Sequence, residues 1–173
     1  TDSFTVPAYT NFLSEAVDGV NYNFVTVDPA TVNTNQDNYS ATFLNMELKQ
    51  GIPVEYKFDV DVVSNPEFSF ELPDADIDTS TIKVTVQSSR ANSSYEIFEK
   101  ADSYLSLDSK SKIYFVEESI NGNYLIKFGD GILGKKLTDG NVVIVNYIIT
   151  QGKAAVGANN FVLLDTINNY YSG

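Results

Sequence analysis

The stretch that decides the fold runs from Tyr124 to Tyr147, YLIKFGDGILGKKLTDGNVVIVNY. It reads as a strand, a glycine-rich connection and a second strand. Tyr124, Ile126 and Phe128 share one face while Leu125 and Lys127 share the other, the period of two expected of a pleated strand. Val142 to Ile149 is a β-branched run broken only by the polar Asn146, which suits a strand buried on much of both faces. Between them lie Asp130-Gly131 and Asp139-Gly140, with Gly129 and Gly134 close by. Asp-Gly pairs favour tight turns, because glycine takes positive φ without a Cβ clash.

Gly129, Gly131 and Gly134 also spell G-x-G-x-x-G after a strand, the pattern of a dinucleotide site. That chemistry needs a helix opening at the third glycine, whose N-terminus holds the pyrophosphate. Here Lys135-Lys136-Leu137-Thr138 runs straight into Asp139-Gly140 and leaves no room for one. A kinase-type loop fails too, since Lys136 stands where a valine would cover the base. A multi-turn β connection is the better reading, with Phe128, Gly129, Asp130, Gly131, Gly134 and Gly140 as fold-defining residues rather than ligand contacts.

The rest of the chain repeats the β pattern. Ser3 to Phe12 is extended, Asp18-Gly19 is a hairpin-type turn, and Tyr22, Phe24 and Thr26 alternate until Asp28-Pro29. Thr31 to Ser40 is polar and reads as a loop. Ala41 to Lys49 reads as a strand with Thr42, Leu44, Met46 and Leu48 on its apolar face. Val54 to Val63 alternates cleanly, with Val54, Tyr56, Phe58, Val60 and Val62 against Glu55, Lys57, Asp59 and Asp61. Asn65-Pro66 breaks that strand. Phe68, Phe70 and Leu72 make a shorter one, and Ile82, Val84 and Val86 another. Tyr95, Ile97 and Phe98 are extended, and Ala101 to Ser109 is one helical turn or an irregular link. Ile113 to Val116 joins Tyr124 through the hairpin signal Asn121-Gly122. Gln151-Gly152 and Gly157 form a flexible exit before a last strand within Phe161 to Ile167. Asn168 to Gly173 has no core-forming pattern and reads as a truncation boundary. These signals give a mainly β chain of one or two small, sandwich-like domains with room for a short helix. The weak compositional shifts near Asn65 and Thr150 divide it into a discontinuous domain, 1–64 with 151–173, and an inserted domain, 65–150.

Chemistry-bearing constellations are few. Asp74, Asp76 and Asp78 alternate, but Thr79 and Thr85 stand where an EF-hand needs glycine and glutamate, so only a looser divalent site remains open. Asn38-Tyr39-Ser40 and Asn92-Ser93-Ser94 match a glycosylation pattern that a protein made in bacterial cytoplasm would not normally use. The chain has neither histidine nor cysteine. Imidazole triads, thiolate nucleophiles and thiolate metal sites are therefore absent from it. A carboxylate pair for glycoside hydrolysis remains conceivable, but 23 acidic residues make chance pairs plentiful. No acid, base and nucleophile constellation emerges, so we expect no enzyme, no cofactor and no small-molecule substrate. A net charge of −12 repels nucleic acid and anionic lipid. No apolar run approaches the ~20 residues needed to span a bilayer. Eleven tyrosines and eleven phenylalanines supply core and interface anchors instead.

Phe128-Gly129-Asp130-Gly131, Gly134, Gly140, the apolar strand ending in Tyr147, and Thr150-Gln151-Gly152 with Gly157 and Asn159 resemble the baseplate wedge family of T4-like contractile phage tails, related to baseplate J proteins. Val6-Pro7-Ala8-Tyr9-Thr10-Asn11-Phe12 and Gly19-Val20-Asn21-Tyr22-Asn23-Phe24 resemble the family's first strand and hairpin. Phe70-Glu71-Leu72-Pro73, Ile77-Asp78 and Ile82-Lys83-Val84 are similar as well. The order of these motifs covers most of the chain. Members of that family are much longer, so the resemblance and the missing initiator methionine imply a fragment. The resemblance implies a structural virion protein of the tail baseplate, assembled in host cytoplasm. Its partners would be a second copy, as a homodimer, and other wedge proteins. The competing expectation is a carbohydrate- or receptor-binding β module of a phage tail, and a third is a polysaccharide hydrolase.

Overall fold

A computed structural model describes residues 3–35, 37 and 40–167. The chain divides into two compact units, one holding the residues up to Pro53 with those from Thr150 onward, the other Val54–Ile149. The architecture is β throughout, as the alternation predicts. Among the described residues the only helical piece is one 3₁₀ turn at Gly152–Ala155. Residues 101–109, where a helical turn was one expectation and an irregular link the other, are irregular.

The first unit contains β1 (Ser3–Val6), β2 (Asn11–Ser14), β3 (Asn23–Thr26), β4 (Ala30–Asn33), β5 (Leu48–Gln50) and β13 (Phe161–Leu163). A four-stranded sheet has the order β13-β2-β3-β5, and β1 pairs with β4 in a separate ribbon. Its interior is partly polar. Thr26 is fully buried beside Val25. Its Oγ1 accepts from Thr10 N at 3.0 Å and donates to the Pro7 carbonyl at 2.7 Å, so the buried hydroxyl has both partners. The Asp18-Gly19 turn adopts φ of 51° and 84° where the chain reverses between β2 and β3. Two sequence expectations fail here. The polar loop from Thr31 begins as strand, because β-branched Thr31 and Val32 pair with Thr5 and Phe4. Gln36, Asn38 and Tyr39, and with them the Asn38-Tyr39-Ser40 motif, lie outside the described residues. The strand expected over Ala41 to Lys49 shrinks to β5, since Asn45 sits at φ 60° and leaves Leu44 83% exposed.

The second unit holds β6 (Ile52–Asp59, from Val54 on), β7 (Ser69–Glu71), β8 (Ile77–Gln87), β9 (Tyr95–Lys100), β10 (Ile113–Glu118), β11 (Tyr124–Phe128) and β12 (Val142–Ile149). They form one sheet in the order β6-β12-β8-β9-β10-β11-β7, with β9 and β10 parallel. The two outermost strands approach each other, Phe58 of β6 meeting Phe70 of β7 at 5.1 Å between ring centroids. The sheet thus curls nearly closed around Phe70, Phe98, Phe128, Val84, Ile126, Val143, Val145 and Tyr147. Each fully buried side chain of this kind stabilises by about 1.5–3 kcal/mol relative to its exposed state. Residues 54–64, assigned by composition to the first domain, belong to this unit instead. Val60 is in its core, with Val54, Phe58 and Val62 packed against it. The break at Asn65-Pro66 is a turn inside the unit, not a boundary, because β6 and β7 on either side of it join the same sheet.

β12 is buried from Val142 through Val145 on both faces, as its unbroken apolar run implies. β8 starts at Ile77, earlier than the alternation suggests. A register shift against β12 inserts extra residues before Ile82 and hides the period. Thr81 repairs the ladder there, its hydroxyl accepting from Ile148 N at 3.0 Å and donating to the Asp78 carbonyl at 2.7 Å.

Candidate functional site

The glycine-rich connection leaves β11 and reaches β12, which lies four places away in the sheet order. It therefore crosses the unit rather than reversing as a hairpin. Phe128 ends β11 with its ring against Phe70 and Phe98, at 5.9 and 5.5 Å. Gly129 follows with its backbone pressed on that of Gly134. A Cβ on Gly129 would stand 2.3 Å from the Gly134 carbonyl carbon, and one on Gly134 would meet Ile113 Cδ1 at 2.9 Å. Only two glycines permit that approach.

Asp130 sets the apex. One oxygen, Oδ1, accepts from Ile132 N at 2.8 Å and from Leu133 N at 2.9 Å. The amides of Leu133 and Ile132 hold its carboxyl below the usual carboxylate range. Gly131 at φ 93° donates its N–H to the Gly134 carbonyl at 3.1 Å. Gly134 N then donates to the Asp108 carbonyl at 2.9 Å and Lys135 N to the Ser111 carbonyl at 2.7 Å. Lys135 and Lys112 both pair with Glu96, Lys112 at 3.1 Å, and Lys135 first among them lowers the Glu96 pKa. Leu137 returns the chain to the core at 2% exposure.

Residues 128–134 thus form one interlocked turn. Gly140, the sixth residue singled out from the sequence, belongs to a separate clamp. Its N–H donates to the Val60 carbonyl at 2.9 Å, Val60 N donates to Asn141 O at 2.9 Å, and Asp139 Oδ1 accepts from Val62 N at 3.2 Å. The partners of the first turn, Asp108, Ser111 and Ile113, were missed by sequence reasoning. The signal for them was the capping pattern Asp108-x-x-Ser111, whose hydroxyl donates to Asp108 Oδ1 at 2.8 Å.

Chemically, the turn keeps its donors to itself. All five amides from Gly131 to Lys135 donate within the protein, so the G-x-G-x-x-G offers none of them to a phosphate. Of the alternating acids, Asp74 accepts from the buried Tyr147 hydroxyl at 2.6 Å and Asp78 from Ser80 N at 3.0 Å. Burial, with Asp74 beside it, raises the Tyr147 pKa. Tyr114, whose hydroxyl donates to the Ile82 carbonyl at 2.8 Å, is pushed up to about 12 by burial. Among the described residues no three Asp or Glu side chains converge as a metal site would require. Asn92 is engaged locally, its Nδ2 donating to Ser88 Oγ and its Oδ1 accepting from Ser94 N.

The interlocked turn displays apolar side chains to solvent. Ile132 is 74% and Leu133 41% exposed, and the Asp108 link bonded to the turn carries Leu105 at 83%. Beside it Tyr104 stacks on Phe115 with 4.5 Å between ring centroids.

No protein-family model matches the chain. It is 29% identical to baseplate wedge protein gp6 of Enterobacteria phage T4, over 95% of this chain and 26% of that protein. The chain therefore spans about a quarter of the relative's length, and the similarity ties it to a phage baseplate protein without resting on any single motif.

Proposed function

We propose that this chain is a structural part of a contractile-tail baseplate wedge, joining neighbouring subunits in the baseplate ring. The observation that carries the reading is the similarity to a baseplate wedge protein along 95% of the chain, which includes both compact units and not one turn alone. The surface supports it: apolar side chains stand in solvent at Ile132, Leu105 and Val162, the pattern of a chain that buries more area against partners. Its partners are a second copy and other wedge proteins, and it resides in the virion after assembly in the host cytoplasm. Its part is assembly, with no catalytic step. Immunogold labelling of intact phage and isolated baseplates, with antibody against this chain, tests the reading. Label confined to the baseplate supports it. Label on fibre tips, or on no part of the particle, contradicts it and favours a receptor- or carbohydrate-binding module.

A further inference from the structure

The chain contains three Asp-Gly pairs, Asp18-Gly19, Asp130-Gly131 and Asp139-Gly140. Such a pair is chemically reactive as well as turn-forming. The glycine nitrogen can attack the aspartate Cγ, because glycine carries no side chain to block the approach. The new C–N bond closes a succinimide ring, and the Cγ–OH bond breaks, the hydroxyl leaving with the amide proton as water. Water then reopens the ring. Opening at the α-carbonyl carries the main chain through Cβ and leaves isoaspartate, with no change in mass.

All three aspartates are exposed, so access to water does not separate them. Hydrogen bonding does. Asp130 Oδ1 accepts from the amides of Ile132 and Leu133 at 2.8 and 2.9 Å, and Gly131 N donates to the Gly134 carbonyl at 3.1 Å. Asp139 Oδ1 accepts from Val62 N at 3.2 Å, and Gly140 N donates to the Val60 carbonyl at 2.9 Å. In both pairs the electrophile and the nucleophile are held by other partners. At Asp18-Gly19 neither is. Among the described residues the Asp18 carboxylate accepts no hydrogen bond and Gly19 N donates none. The flanking valines close the turn around them, Val17 N donating to Val20 O at 2.8 Å and Val20 N to Val17 O at 3.0 Å. A Cβ at Gly19 would meet nothing within 4 Å, so the turn stands in open space. Asp18 at φ 51° also holds a left-handed conformation that is costly for a residue with a Cβ. Isoaspartate, with one more main-chain bond to rotate, escapes it.

We propose that Asp18-Gly19 is a site of spontaneous isoaspartate formation, and through it the acceptor for a methyltransferase that esterifies isoaspartyl carboxylates. The two-residue connection between β2 and β3 then gains one backbone atom, while Asp130 and Asp139 persist. The site does not depend on what the chain assembles with.

The test stores the full protein for weeks in mildly acidic buffer, where a fraction of aspartate carboxyls carries the proton needed to lose water. Labelled methyl transfer by isoaspartyl methyltransferase, followed by peptide mapping, reads each site. Asn121-Gly122 reacts by losing ammonia and gains mass, so it is counted apart. In the folded protein isoaspartate at Asp18 is expected to build up at least about tenfold faster than at Asp130 or Asp139. In urea, with the hydrogen bonds gone, the three rates are expected to converge to within about threefold. Asp18→Glu is expected to abolish the label in its peptide, because the longer acid must close a larger ring. Equal rates in the folded protein, faster reaction at Asp130 or Asp139, or a difference that survives in urea overturns the proposal. So does an Asp18 that stays intact in the folded protein yet isomerises in urea.

Discussion

Asp130-Gly131 and Asp139-Gly140 are the same dipeptide nine residues apart, and both glycines take positive φ, 93° and 78°. Their surroundings differ. The first sits in a turn whose flanking glycines touch backbone to backbone, with Ile113 packed on Gly134, while a Cβ at Gly140 meets nothing within 4 Å. The local turn signal is equal in the two. Both turns are bonded to distant residues, the second to Val60; what separates them is close packing, Gly129 on Gly134 and Ile113 on Gly134 in the first and open space around a Gly140 Cβ in the second. An Asp-Gly pair therefore marks a reversal, and the cost of altering it is set by what packs against it.

The comparison breaks most visibly at Gly129. Gly129→Ala places a methyl within 2.5 Å of three Gly134 backbone atoms, none of which can rotate aside. We expect a loss of about 3 kcal/mol or more in denaturant unfolding. A loss no greater than that of Gly140→Ala would erase the distinction between the two turns. Next comes Gly131→Val, where positive φ is combined with Lys136 Cβ at 3.3 Å. Destabilisation of about 1–2 kcal/mol is expected, and an unchanged melting temperature would contradict it. Gly140→Ala has backbone strain alone and should lose about 1 kcal/mol, read from the same unfolding curves.

The smallest effect sharpens the comparison through pH. Asp130 accepts two amide hydrogens in the fold, so its folded pKa lies below its unfolded value of about 4. Its contribution is then fully present above that unfolded value and is lost as pH falls through the lowered folded one. The gap in denaturation midpoint between the wild type and Asp130→Asn should be constant near neutrality and narrow below about pH 4. Subtracting the variant removes the parallel titration of Asp59, Asp61, Glu96 and Asp108, whose pKa values are also lowered. A gap independent of pH would mean that the charge on Asp130 does not hold the turn.

Legibility in the sequence follows from how local each determinant is. β11, β12 and the Asn121-Gly122 turn were readable because their signal lies within a few residues: alternation, a β-branched run, a turn pair. Ala41 to Lys49 misled because Leu44 and Met46 sit at strand spacing, yet positive φ at Asn45 breaks the chain between them, and nothing in an asparagine announces that choice. Asn65 looked like a domain boundary because the composition shifts weakly there and Asn65-Pro66 ends a strand, but such breaks occur within sheets as well. Within the candidate site, the glycines were visible and their partners were not. Asp108, Ser111 and Ile113 meet Gly134 and Lys135 through backbone carbonyls and one methyl, contacts that carry almost no sequence signature.

A cryo-electron microscopy reconstruction of isolated baseplates tests the central claim most directly. The account predicts density in the wedge ring that takes the near-closed seven-stranded sheet, in the order β6-β12-β8-β9-β10-β11-β7, with neighbouring chains seated on it. A complete baseplate map with no density for that sheet, or the same sheet found only in tail fibres, would contradict it.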